Sequence, residues 1–186
     1  PSPLTAATER IADLLAAVRS DVGVGAPTEE GVIVSSLIDD RAAEKVQRIL
    51  DGSRACGAQV RFGGERHGRL ITPAVVTEVP ADAPLATEEV FGPVVAVSAF
   101  DRLDQAITSV NASRYGLQAG VFTSHLPTIT QAFERLEVGA VLIGEIPTFR
   151  VDHMPYGGVK DSGFGREGLR YAYEEYTEER LLVLPR

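Results

Sequence analysis

Between Val94 and Ile143 the sequence alternates short apolar runs, rich in β-branched residues, with stretches whose apolar side chains recur every three or four positions. That alternation constrains the fold more than any other feature, because strands and helices that take turns along a chain assemble into parallel sheets with helical crossovers. Val94 to Phe100 reads as a strand buried on both faces, followed by a helix over Leu103 to Asn111. A strand over Gly120 to Thr123, a helix over Leu126 to Leu136 and a strand over Val138 to Ile143 complete a βαβαβ succession. The expected class is α/β: a parallel-stranded sheet with flanking helices, in one structural unit.

Upstream, Thr5 to Val22 carries Ile11, Leu14, Leu15 and Val18 at helical spacing. Val32-Ile33-Val34 suits a strand, and Asp39 or Asp40 caps a second helix carrying Ala43, Val46, Ile49 and Leu50 and ending near Gly57. Strands are expected at Gln59 to Phe62 and at Ala74 to Val79, the second introduced by Pro73. After residue 165 come a short helix over Arg166 to Tyr173 and an apolar end strand over Arg180 to Leu184. The parts are thus a helical segment 1–57, a βαβ core with a glycine-rich loop over 58–165, and a terminal helix and strand over 166–186.

Charge narrows the partners. With 26 acids against 18 bases the formal net charge is −8, and the basic residues are scattered, so no nucleic-acid surface is expected. No apolar run approaches the roughly 20 residues of a membrane helix, and the start lacks a basic segment followed by an apolar one. One cysteine forms no internal disulfide, and these features together point to a soluble cytoplasmic protein. No Cys/His cluster has metal-ligand spacing. Cys56 itself, between Ala55 and Gly57 at a helix end, suits a small buried hydrophobe better than a nucleophile.

From Arg150 to Gly168, five glycines and a proline surround charged and aromatic side chains, a composition that no regular helix or strand tolerates. This is a shaped loop. Together with Glu88-Glu89-Val90-Phe91-Gly92-Pro93 it resembles signature motifs near the C-terminal end of the NAD(P)-dependent aldehyde dehydrogenases. Three further segments between the two are similar to family segments in the same order: Asn111-Ala112-Ser113-Arg114-Tyr115-Gly116-Leu117, Gly120-Val121-Phe122-Thr123 and Val138-Gly139-Ala140-Val141.

The resemblance implies roles. In the family a cysteine thiolate attacks the aldehyde carbon, hydride passes to the nicotinamide, and a glutamate-activated water hydrolyses the thioester. It also implies that no catalytic residue lies in this chain, the nucleophile, the base and the cofactor domain being expected upstream of Pro1, so that the 186 residues alone would be inactive. By motif, Glu89 and Phe91 match the residues that hold the nicotinamide ribose of NAD or NADP; the alternative is solvated loop acids and a core ring. The loop matches the wall of the aldehyde tunnel, with Tyr156 and Phe164 either lining it or pinning the loop to the core. Lys160, Asp161 and Ser162 read as a hydrogen-bonding turn, not a triad.

Pro147-Thr148-Phe149-Arg150-Val151-Asp152-His153-Met154 looks like the branch acting on short, polar or anionic aldehydes, such as lactaldehyde and phosphonoacetaldehyde dehydrogenases. Arg150 and His153 are its substrate candidates: Arg150 offers a guanidinium fork to an anionic group, or else an ion pair to Asp152 or another acid. One departure is that Gly144-Glu145 stands where the family usually carries Asn after the strand. In the family the C-terminal strand joins another subunit's sheet, which implies a homo-oligomer built through Leu181, Leu182 and Val183; the alternative is that they pad this chain's own sheet. A rival to the enzyme reading is a non-catalytic oligomerisation module derived from that family.

Overall fold

The computed structural model describes residues 23–185, so the helix expected over Thr5 to Val22 lies outside the described residues. Contacts gather into two compact units, one ending at Asp101 and the other beginning at Arg102, where the sequence suggested a single unit.

The first unit is built around α1, Asp40–Ala55. Asp39 caps it, accepting from the Ala42 N–H at 2.7 Å. It ends in a Schellman turn, with Gly57 N–H donating to the Arg54 carbonyl and Ala58 N–H to the Ser53 carbonyl, both at 3.0 Å. That turn requires the left-handed φ of +107° at Gly57. Ala43, Val46 and Leu50 on one face of α1 pack with Ala58, Ile71 and Val76 as the core. Burying a side chain such as Leu50 or Ile71 stabilises by roughly 2 kcal/mol.

Short strands β1, Gly23–Val24, and β2, Val32–Val34, pair in parallel before α1. After it come β3, Gln59–Phe62, the hairpin of β4, Arg66–His67, with β5, Leu70–Ile71, then β6, Ala74–Thr77, the single turn α2, Pro84–Thr87, and β7, Val94–Val97. Sheet order is β3-β6-β7, with β3 antiparallel and β7 parallel to the middle strand. Here the Val94 to Phe100 expectation needs correction. β7 stops at Val97 and Val95 is 49% exposed, whereas all four residues of β6 are buried, because β6 has a neighbour on each side and β7 only one. β6 ends two residues before Val79, where Glu78 turns to φ +53°.

The second unit runs α3, Leu103–Asn111; β8, Tyr115–Gly116; β9, Gln118–Val121; α4, Leu126–Arg135; β10, Ala140–Ile143; β11, Val159–Lys160; and α5, Leu169–Tyr176. β9 and β10 are parallel with α4 between them, so a β-α-β unit is present. The five-element succession is nonetheless realised as two sheets, since β7 pairs with β6 and β9 with β10.

Two terminal expectations shift. The last helix starts at Leu169 and not Arg166, because Gly168 at φ +115° sets its first turn and Glu167 is held in a β-bridge. Arg180 to Leu184 pairs with nothing among the described residues and so is no strand, and Leu181, Leu182, Val183 and Leu184 are 72–88% exposed. Among the described residues they pad no sheet of this chain. Among the described residues no helix is long and apolar enough to cross a membrane.

Candidate functional site

After α2 the chain alternates: Glu88 and Val90 turn towards α1, while Glu89 and Phe91 are exposed. Arg48 on α1 grips Glu88 with both guanidinium nitrogens, at 3.0 and 2.9 Å. Those hydrogen bonds hold the Glu88 carboxyl below the usual glutamate range, helped by the charges of Arg48 and Lys45 and opposed by desolvation. Val90 packs against the core, and Gly92 passes so close to Val46 that a Cβ there would meet its methyl groups.

Lys45, one turn before Arg48, donates to the Glu89 carbonyl at 2.6 Å and sits 5.5 Å from the Phe91 ring centroid. Phe91 has φ +52° and is 72% exposed, so it is not the core residue that the plainer expectation made it. The Glu89 carboxylate has no partner among the described residues. A helix-anchored turn therefore presents an open carboxylate and an open ring, a pairing suited to a ligand with a diol beside an aromatic face. Lys45 escaped the sequence reading because nothing in its spacing along α1 marks it; only the return of the chain past α1 brings it to the turn.

In the second unit the glycine-rich loop is more regular than its composition suggests. Val159–Lys160 pairs antiparallel with Tyr115–Gly116, and Tyr156 bridges Glu167. The Lys160-Asp161-Ser162 turn is tied down on every side. Ser162 Oγ accepts from the Gly116 N–H at 3.0 Å, Asp161 pairs with Arg114, and Lys160 Nζ reaches the Asn111 carbonyl at 2.7 Å and the Glu137 carboxylate at 2.8 Å. Arg166 donates to the carbonyls of Gly158 and Gly165, at 3.0 and 2.7 Å. A Cβ at Gly139, at the foot of β10, would run into the Gly157 carbonyl.

Arg150, Tyr156 and Glu167 come together. The Arg150 guanidinium lies 4.9 Å from the Tyr156 ring centroid, and its Nη2 is 3.2 Å from Glu167 Oε2. Of the two ways Arg150 was expected to act, the ion pair is present, but its partner is Glu167 and not Asp152, because the β-bridge carries Glu167 back to Tyr156. His153 is exposed and Tyr156 half-buried. Phe164 is fully exposed, so it does not pin the loop.

Gly144 has φ +71° with open space where a Cβ would be, a conformation that Asn also tolerates, so the Gly in place of the Asn expected from the resemblance needs no change of backbone. Cys56 is exposed, against the buried role expected of it; the core position on that turn of α1 belongs to Ser53.

Residues 5–182 match the aldehyde dehydrogenase family. The chain is 44% identical over 161 residues to the 3-sulfolactaldehyde dehydrogenase of Priestia aryabhattai, covering 87% of this chain and 34% of that protein. The crystal structure of aldehyde dehydrogenase 21 from Physcomitrella patens with its reaction product succinate superposes with a TM-score of 0.87 at 36% identity, over 90% of this chain and 35% of that one. Glyceraldehyde-3-phosphate dehydrogenase from Methanocaldococcus jannaschii, complexed with NADP, gives 0.85 at 33% identity, over 90% and 36%. The chain spans about a third of the length of these proteins.

Proposed function

This chain belongs to the aldehyde dehydrogenase family, and we propose that it serves an NAD(P)-dependent oxidation of a small polar or anionic aldehyde to its carboxylic acid. The observation that carries this reading is the turn that displays Glu89 and Phe91 outward, the one without a partner for its carboxylate and the other in a left-handed backbone. NAD or NADP, when bound, supplies the hydride acceptor. Glu89 takes hydrogen bonds from the hydroxyls of the nicotinamide ribose, Phe91 limits its drift, and Lys45 holds the turn that aims both.

In the second unit Arg150, His153, Tyr156 and Phe164 are the residues that contact the aldehyde, and Arg150 grips its anionic group. Similarity supports an anion: sulfolactaldehyde carries a sulfonate, succinate a second carboxylate and glyceraldehyde-3-phosphate a phosphate. The 186 residues by themselves do not turn over aldehyde, since their single thiol, Cys56, is the exposed C-cap of α1 and matches no nucleophile motif of the family. The exposed segment Leu181–Leu184 favours a second role, joining copies of the chain, which does not exclude the first.

The test is steady-state kinetics of the protein that carries this chain, with a sulfonated and a neutral aldehyde of equal length. Arg150→Ala is expected to raise KM for the sulfonated aldehyde by about tenfold or more, the loss of one charge-assisted contact. The neutral aldehyde is little affected. An unchanged KM for the sulfonated aldehyde would sink the anionic reading.

A further inference from the structure

We infer that Glu167 is the internal counter-anion of Arg150: it occupies the guanidinium that an anionic ligand takes over, and so sets how strongly the site favours anions over neutral molecules of the same size. The inference rests on the anionic reading of Arg150 above and adds a residue that acts through it.

The arrangement is registered by the main chain. Tyr156 N–H donates to the Glu167 carbonyl at 3.1 Å and Glu167 N–H returns to the Tyr156 carbonyl at 2.6 Å, so the ring and the carboxylate arrive side by side. Arg150 then finds the Tyr156 ring at 4.9 Å and the Glu167 carboxylate at 3.2 Å. Neighbouring charges leave the pair to itself. Arg166 is committed to the carbonyls of Gly158 and Gly165, and among the described residues Asp152 makes no bond to Arg150.

Exposure decides what the pair does. The side chains of Arg150 and Glu167 are 46% and 66% exposed, so water screens their attraction and the pair belongs to the class that stabilises little and exchanges readily. A sulfonate or carboxylate presents the same kind of oxygen acceptors as Glu167 and can take its place on the fork, whereas a neutral molecule cannot. Glu167 thus keeps the guanidinium on the Tyr156 ring in the free protein and competes with every anion that enters. Its removal strengthens anion binding alone.

The probe is 2-hydroxyethanesulfonate, with ethylene glycol as its neutral counterpart, titrated into the 186-residue chain while the backbone amide resonances of residues 156 and 167, present in every variant, are followed. Glu167→Gln is expected to bind the sulfonate roughly two- to fivefold more tightly, the scale of an exposed ion pair. Ethylene glycol binding stays as it was, and in Arg150→Ala/Glu167→Gln the gain disappears. Equal or weaker sulfonate binding by Glu167→Gln, or a gain that persists without Arg150, overturns the inference. If Arg150→Ala alone binds the sulfonate like the parent chain, the anionic reading itself falls; if it loses binding while Glu167→Gln changes nothing, only the role of Glu167 falls. Should Glu167→Gln fail to give a dispersed amide spectrum, Glu167→Asp, charged but too short to reach Arg150, is judged by the same standard: tighter than the parent chain supports the inference, and no tighter overturns it.

Discussion

Phe91 combines a backbone conformation that disfavours side chains with a ring left 72% exposed. A non-glycine residue in the left-handed region costs on the order of 1–2 kcal/mol, and an exposed ring recovers little of that by burial. Such strain persists where surrounding structure over-determines it, here the Lys45 bond to the Glu89 carbonyl and the close pass of Gly92 over Val46. Phe91→Gly removes the steric strain but adds freedom to the unfolded chain, two effects of similar size. The expected outcome is a melting free energy changed by less than about 1 kcal/mol, measured by denaturant unfolding, together with a clear loss of NAD(P) affinity measured by calorimetry. A large loss of stability would mean that the ring is structural after all. Glu89 and Phe91 stand out together in the sequence because their motif is read from residue type, and both are exposed. The strain that sets them apart was not legible there, since φ is fixed by neighbours far along the chain.

At the scale of elements, α1 is a platform with two working faces. Ala43, Val46 and Leu50 bury one into the core, while Lys45 and Arg48 on the other hold the returning chain at Glu88 and Glu89. The buried face, a cap at Asp39 or Asp40 and a stop near Gly57 were all readable from periodicity and end signals, because those are local, and the structure puts the cap on Asp39. What local patterns missed is tertiary: the half-exposed β7, the bridge that delays α5, and the exposure of Cys56. The clamp also carries a pH signature. Since the Glu88 carboxyl is held below its ordinary range when folded, the stabilisation is present above the pH at which a free glutamate titrates and is lost as pH falls through the lower folded value. Arg48→Ala should therefore shift the melting temperature downward at neutral pH, and the difference from the parent chain should shrink in acid. Thermal melts of both proteins across that range test it; a difference that is constant with pH would show that Arg48 acts by packing alone.

At the scale of the molecule, the most apolar exposed run among the described residues is that over 181–184. Leu181, Leu182, Val183 and Leu184 form an apolar run with no ladder partner among the described residues, and the two acids and one base before it, Glu178, Glu179 and Arg180, set it apart chemically from what precedes it. Four exposed aliphatic side chains outside any helix or strand offer apolar area and main-chain groups without a ladder partner among the described residues, which is what strand addition between chains uses. The apolar run was legible from composition, whereas its exposure and its lack of a ladder partner among the described residues needed coordinates. If it joins copies, Leu182→Asp places a charge in the interface, and association should weaken steeply because an unpaired carboxylate would be buried. Sedimentation velocity is expected to find the parent chain as a dimer or larger and Leu182→Asp as a monomer at the same concentration, with equal far-ultraviolet circular dichroism because the segment is exposed and in no helix or strand among the described residues. A parent chain that sediments as a monomer at every concentration rules out this role for the end segment and leaves the site residues of the second unit as they are.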